Sequence, residues 1–218
     1  GVALSERVPD RPLMTTSSQP VHALLLQFAQ PSPERAHELA SEAARVLQQT
    51  FPALALQCVA HQPATESYVY LAFDGAVDMS AATVQELERT LRAAPDSELA
   101  QSKLSRLQQV LHRDGPSIAS PASVHYVVEM DPEEGWQDEL FRWYDEEHLP
   151  GLAAVEGTVR ADRYLNLDHG PLSHACYDLT AETVMGCPAW LAVRATSWSS
   201  KVRPHFTNTK RTMFAKLD

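Results

Sequence analysis

Phe141-Arg-Trp-Tyr-Asp-Glu-Glu-His-Leu-Pro-Gly-Leu152 is the stretch on which the fold turns. Phe141, Tyr144 and His148 recur at helical spacing and share one face, while Trp136 and Leu140 mark the buried side of the same helix. Leu149-Pro150-Gly151 is a common helix stop. The pattern predicts a helix over Trp136–His148, with His148 near its C-terminus and directed at whatever lies beneath.

Working outward, the helix is flanked by strands. Val124–Met130 precedes it, and Val159–Leu167 and Ser173–Leu179 follow, joined by the turn Asp168-His-Gly-Pro. A helical region over Ala181–Ser200 is interrupted near Pro188, and Arg211–Lys216 closes the half as a strand. The first half gives the same order. Val21–Phe28 is a short apolar run. Ser32 and Pro33 then open a helix that ends near Thr50. Leu54–Ala60 and Ser67–Phe73 form a hairpin, with Asp74-Gly75 breaking the second strand. Ser80 caps a helix carrying Val84, Leu87 and Leu91; Asp96–Arg106 extends it or forms a loop, and Leu107–His112 is the last strand.

Both halves read β-α-β-β-α-β. The expected fold class is therefore α+β: two tandem ferredoxin-like βαββαβ units forming an α+β barrel. The units are expected at 21–115 and 124–218, with a linker at 116–123 and a disordered or tag-derived lead at 1–20. Each unit makes a sheet with both helices on one face, and the bare face must be buried. A second unit in the same chain does this; a homodimer is the other route.

Composition narrows the function. The formal net charge is −10 and the pI near 5.3, which excludes the clustered Lys and Arg of a nucleic-acid footprint. No apolar run has the roughly 18 residues of a membrane span, and no signal-peptide pattern opens the chain. Cys58, Cys176 and Cys187 form no Cys-x-x-Cys pair, so a reducing, cytoplasmic setting is expected. No Gly-rich phosphate loop and no spaced His-carboxylate metal motif occurs.

The run Trp143-Tyr-x-x-Glu-His-Leu-Pro resembles the EthD-like members of the dimeric α+β barrel superfamily. The resemblance continues through Glu156-Gly157, Arg160-Ala-Asp-Arg163-Tyr164, Tyr177-Asp178-Leu179, Pro188-Ala-Trp190, Trp198-Ser and Val202-Arg-Pro-His-Phe206, covering about 124–218. Residues 21–113 carry none of these pieces. The resemblance implies a range of activities: cofactor-free polyketide cyclases, dehydratases or decarboxylases, lactone isomerases, quinone-forming monooxygenases and haem proteins. One departure is Ser173-His174-Ala175-Cys176, where bulkier apolar residues are expected, so the pocket wall there should be smaller and more polar.

His148 is the leading candidate acid/base, since a histidine near neutrality moves a proton at low cost; the competing reading has it capping its own helix. Tyr144 is a candidate carbonyl donor or a packing ring. His174, Cys176 and Asp178 share one face of their strand, and Tyr177 lies on the other. His174 is a candidate acid or base, while Cys176 lacks any activating signature. Arg160, Arg163, Arg203 and Lys210 are available to pair the acidic run around Asp145, Glu146 and Glu147; Arg163 is also the candidate for a substrate carboxylate. Tyr177, Trp190, Trp198 and His205 are candidate substrate walls.

The expected function is a cofactor-independent lyase, cyclase or isomerase acting on a small conjugated or polyketide-like oxo acid. The alternatives are a non-catalytic small-molecule-binding or structural barrel, and a haem-binding or cofactor-free monooxygenase. No cofactor is expected under the main reading, and haem only under the last.

Overall fold

The structure is a computed structural model that describes residues 18–29 and 32–217. The lead at 1–17 lies outside the described residues. Eight strands close into one barrel: β1 (Gln19–Phe28), β2 (Ala55–Gln62), β3 (Glu66–Met79), β4 (Lys103–Asp114), β5 (Val124–Pro132), β6 (Thr158–Asn166), β7 (Ser173–Leu179) and β8 (Phe206–Lys216), in the order β1-β3-β2-β8-β5-β7-β6-β4. Within each half the fourth strand lies beside the first, then come the third and the second. The two four-stranded sheets meet at two seams. β4 pairs with β6 through seven residue pairs, from Leu107↔Asn166 to Asp114↔Arg160. β2 pairs with β8 through only two, Ala60↔Lys216 and His61↔Ala215.

Strand alternation separates three cores. On β1, Leu24, Leu26 and Phe28 face outward and pack on Leu39, Ala40 and Leu47 of α1 (Pro33–Gln48) and on Val84, Leu87 and Leu91 of α2 (Ala81–Arg92). Fully burying each such side chain stabilises by about 1.5–3 kcal/mol. Both helices begin as the sequence predicts: Ser32 and Ser80 accept hydrogen bonds from the N–H groups of Arg35 and Thr83. Ala23 and Leu25 point the other way, into the barrel, with Tyr68, Tyr70, Val127, Tyr164 and Phe214. The third core lies outside the C-terminal sheet. There Met130, Ala161, Ala175, Tyr177 and Leu179 meet Leu140, Trp143, Leu152 and Trp190.

Three local expectations are corrected. Asp74-Gly75 does not end β3, which runs on to Met79; Gly75 takes φ +80, and the register against β1 shifts between Val21 and Ala23 to absorb the extra residues. β1 begins at Gln19, inside the expected lead, because Gln19 and Pro20 pair with Met79 and Asp78 on that extension. Residues 96–106 neither extend α2 nor loop throughout: a short 3-10 helix at Ser97–Gln101 leads into β4 at Lys103.

The deciding helix is longer than expected. α3 (Gln137–Trp143) passes through a wide turn at Tyr144–His148 into α4 (Leu149–Ala153). Pro150 has no N–H to give to the carbonyl four residues back. The chain absorbs this in the wide turn, where the Leu149 N–H reaches the Tyr144 carbonyl, five residues away. His148 therefore sits mid-helix, and the helix-end cap considered for it does not occur. The segment after β7 is α5 (Pro188–Arg194) and α6 (Ser197–Val202), followed by a single turn over Arg203–His205. No helix among the described residues is long and apolar enough to cross a membrane.

Candidate active site in the C-terminal half

Between the C-terminal sheet and its helices lies a cleft lined by Tyr126 and Val128 of β5, Tyr177 of β7 and Arg211 of β8. Trp143, Tyr144, His148 and Leu152 line it from α3, the wide turn and α4. Trp190 and Arg194 of α5, with Arg203 and Phe206, complete it. The cavity volume of the cleft is about 30 Å³. A water needs roughly 10–15 Å³ on that measure.

His148 is the centre of this site. It is 8% exposed, its ring stacks on Trp143 at 4.1 Å, and Tyr144 meets it edge-on at 5.6 Å. Its Nδ1 is buried with no hydrogen-bond partner among the described residues. Burial first, then the charges of Arg203 and Arg194, lower its pKa to about 3. The imidazole is thus neutral at physiological pH. Tyr144 is the reverse case: burial pushes its pKa up to about 12, against the opposing pull of Arg163. Burial likewise holds the Tyr177 hydroxyl well above its ordinary value. Both remain protonated donors, and neither hydroxyl bonds to any described residue.

The sequence-derived candidates divide. His148, Tyr144, Tyr177 and Trp190 come together here, and Tyr177 packs edge-on against Trp190 at 5.4 Å. Arg163 does not line the cleft. It is buried behind it, under the rings of Phe141 and Tyr144 at 4.0 and 4.9 Å, with Nε donating to Ser173 at 3.2 Å. Trp198 faces outward, its Nε1 donating to Glu139 at 3.0 Å. His205 stacks on Trp136 at 3.5 Å and pairs with Glu133, also away from the cleft.

His174 is inside the barrel, on the opposite face of the sheet from His148. It belongs to a buried polar chain joining both halves. Asp178 accepts from His125 Nδ1 at 2.5 Å. The Tyr70 hydroxyl bridges His125 Nε2 at 2.9 Å and His174 Nε2 at 2.7 Å. His174 Nδ1 faces Glu129 at 3.6 Å, and Glu129 accepts from Tyr68 at 2.7 Å. A single hydroxyl proton serves one imidazole, so the other must donate to the Tyr70 oxygen. Burial opposes ionisation of Glu129 and Asp178, but His174 and His125 outweigh it and hold both carboxyls below their usual range. Cys176 is buried nearby, and burial raises its thiol well above the ordinary value, which is the opposite of an activated nucleophile.

Arg194, Arg203 and Arg211 carry weight that the sequence reading did not give them. None has a carboxylate within ion-pair distance among the described residues. A signal was present: between Glu182 and Asp218 there is no Asp or Glu, in a chain that is acidic as a whole. No group of three His, Cys, Asp or Glu side chains among the described residues is placed to hold a metal. Sites for bodies of drug size hold roughly 300–1,000 Å³, so with a cavity volume of about 30 Å³ the cleft has to open before it takes haem or any polycyclic ligand.

These features define a ferredoxin-like α+β barrel with an aromatic, cation-rimmed cleft in its C-terminal half. Comparison with solved structures places the same fold in several proteins. An anthrone oxidase-like protein matches with a TM-score of 0.60 at 12% identity, over 93% of this chain and 92% of its own. A Lactobacillus acidophilus protein described as a proposed monooxygenase matches with a TM-score of 0.56 at 9% identity, over 91% and 95%. A variant of chlorite dismutase from Candidatus Nitrospira defluvii matches with a TM-score of 0.53 at 10% identity, over 91% and 93%. At these identities the likeness is one of fold. No family model matches the sequence, and no curated protein does.

Proposed function

We propose that this chain is a tandem fusion of two ferredoxin-like units whose C-terminal cleft acts as a cofactor-independent oxygenase on a flat, conjugated substrate. The observation that carries the reading is His148: a neutral, buried imidazole with an orphaned nitrogen, set among aromatic rings and two protonated tyrosine hydroxyls. His148 takes a proton from an acidic C–H of the substrate. Tyr144 or Tyr177 donates to the oxygen on which the negative charge settles. The carbanion then adds dioxygen, the peroxide takes back the proton, and loss of water leaves a carbonyl. One methylene and one dioxygen become one carbonyl and one water, so no external reductant is needed. Burial and the arginine charges hold the proton affinity of His148 low; the anion forming beside it supplies the opposite charge that raises it.

Two of the structures sharing this fold are described as a proposed monooxygenase and an anthrone oxidase-like protein, which supports oxygenation over the lyase or cyclase reading. A lyase or cyclase begins with the same proton transfer but consumes no oxygen. Oxygen uptake with a panel of anthrones, polycyclic phenols and β-keto acids separates them. The expected result is turnover that stops under nitrogen and falls roughly 10²–10⁴-fold in His148→Gln. Undiminished turnover in that variant ends the assignment, and product formation under nitrogen restores the lyase.

A further inference from the structure

We infer that the cleft binds a planar organic acid, its oxyanion seated among the guanidinium groups of Arg194, Arg203 and Arg211 and its ring directed toward His148 and the aromatic wall. This names the substrate class for the site proposed above and rests on that cleft being the reacting one. The three arginines reach the mouth from three separate elements: α5, the turn at Arg203–His205, and β8. Several arginines elsewhere are paired closely with carboxylates. Arg35 lies 2.7 Å from Asp96, Arg106 3.0 Å from Asp168, and Arg160 2.8 Å from Asp162. With a formal net charge of −10, carboxylates are plentiful, yet none is placed at this mouth among the described residues.

Convergence of like charges is unfavourable by itself. Burial first, then Arg194 and Arg211, lower the Arg203 pKa. Fork-shaped guanidinium groups match a planar oxyanion in paired hydrogen bonds, which a neutral head group cannot reproduce. The second mark is His148, whose partnerless Nδ1 is buried in the same cleft. Everything charged or titratable around that ring is accounted for: Arg203 and Arg194 above it, Arg211 and Tyr126 on the sheet, and Tyr144 and Tyr177 beside it. Glu147 is engaged instead with Trp143 Nε1 at 3.1 Å and Thr196 at 2.8 Å. An anion among the arginines therefore offsets the positive charge beside His148, while burial still holds the ring neutral and able to accept a proton.

The test is binding of benzoate, benzamide and inorganic phosphate to the intact protein, followed by calorimetry in buffers of different ionisation enthalpy and by the ring-nitrogen resonances of His148. Benzoate should bind at least tenfold more tightly than benzamide, without net proton uptake and with the His148 resonances still those of the neutral ring. Arg203→Gln and Arg194→Gln should each weaken benzoate about tenfold and leave benzamide unchanged. Equal affinity for benzoate and benzamide, or indifference to both variants, overturns the inference. So does phosphate binding as tightly as benzoate, since the site is then a plain anion trap. The outcome is separable from catalysis: if His148→Gln keeps full turnover while benzoate is still preferred, the oxygenase reading falls and the acid site stands.

Discussion

The imidazole of His148 has lost most of its water without gaining a partner at Nδ1, and this has a consequence for stability. Its pKa is about 3 in the folded protein and near 6.5 in an unfolded chain. Between those values the unfolded state binds the proton and the folded state does not. Stability therefore falls as pH drops from about 6.5 toward 3 and is unaffected by this residue above 7. Near pH 5 the deficit is about 2 kcal/mol. Urea unfolding of wild type and His148→Phe at pH 8 and pH 5 should show the variant losing less stability on acidification by about that amount; parallel losses show that the ring is not held neutral. At this scale the sequence was informative about which residues line the cleft from one helix face, because the spacing of Tyr144 and His148 is local. It was blind to the arginines, whose meeting depends on how α5, the turn after α6, and β8 are brought to one mouth. Arg163 shows the converse: an arginine next to Tyr164 on its strand looked available, but it lies under Phe141 and Tyr144 instead of in the opening.

Among the elements, the wide turn over Tyr144–His148 decides where the histidine points. An α-helix advances about 100° per residue, since a turn takes 3.6 residues, and the wide turn accommodates one residue more than that repeat. Deleting Glu146, which is exposed and only loosely paired with Arg142 at 3.8 Å, should remove that extra residue, keep α4 in register with α3 and draw in the widened turn that holds His148. The fold should persist by circular dichroism while benzoate binding is lost; retained binding shows that the turn does not aim the ring. The helix pattern was readable from Trp136 onward because its apolar face is periodic, and β7 matches its expected span, Ser173–Leu179, because turn residues bound it on both sides. Where the reading failed, a local breaker was overridden by pairing. Gly75 is tolerated inside β3 because it falls in the register shift and β1 pairs with the strand again from Val77, and Pro150 is tolerated because α4 packs Leu149, Leu152 and Ala153 into the core.

For the whole molecule, the repeated strand order and the need to cover two bare sheet faces were legible from the sequence, since alternation exposes an apolar face that demands a mate. The contents of the barrel were not. Nothing in the spacing of Tyr70, His125 and His174 says that a tyrosine from one half bridges two histidines of the other, because that contact exists only once the sheets face each other. The two seams are unequal, seven pairs against two, and hydrogen exchange should register the difference. The Leu217 amide, which donates to Val59 across the short seam, should exchange well ahead of amides between Leu107 and Asp114; equal protection shows that the cylinder opens elsewhere. The molecule is in this sense a cuff with one clasp. Unfastening it at β2 and β8 gives water and protons their shortest way to the histidines sealed inside, leaving the cleft on the outer face undisturbed.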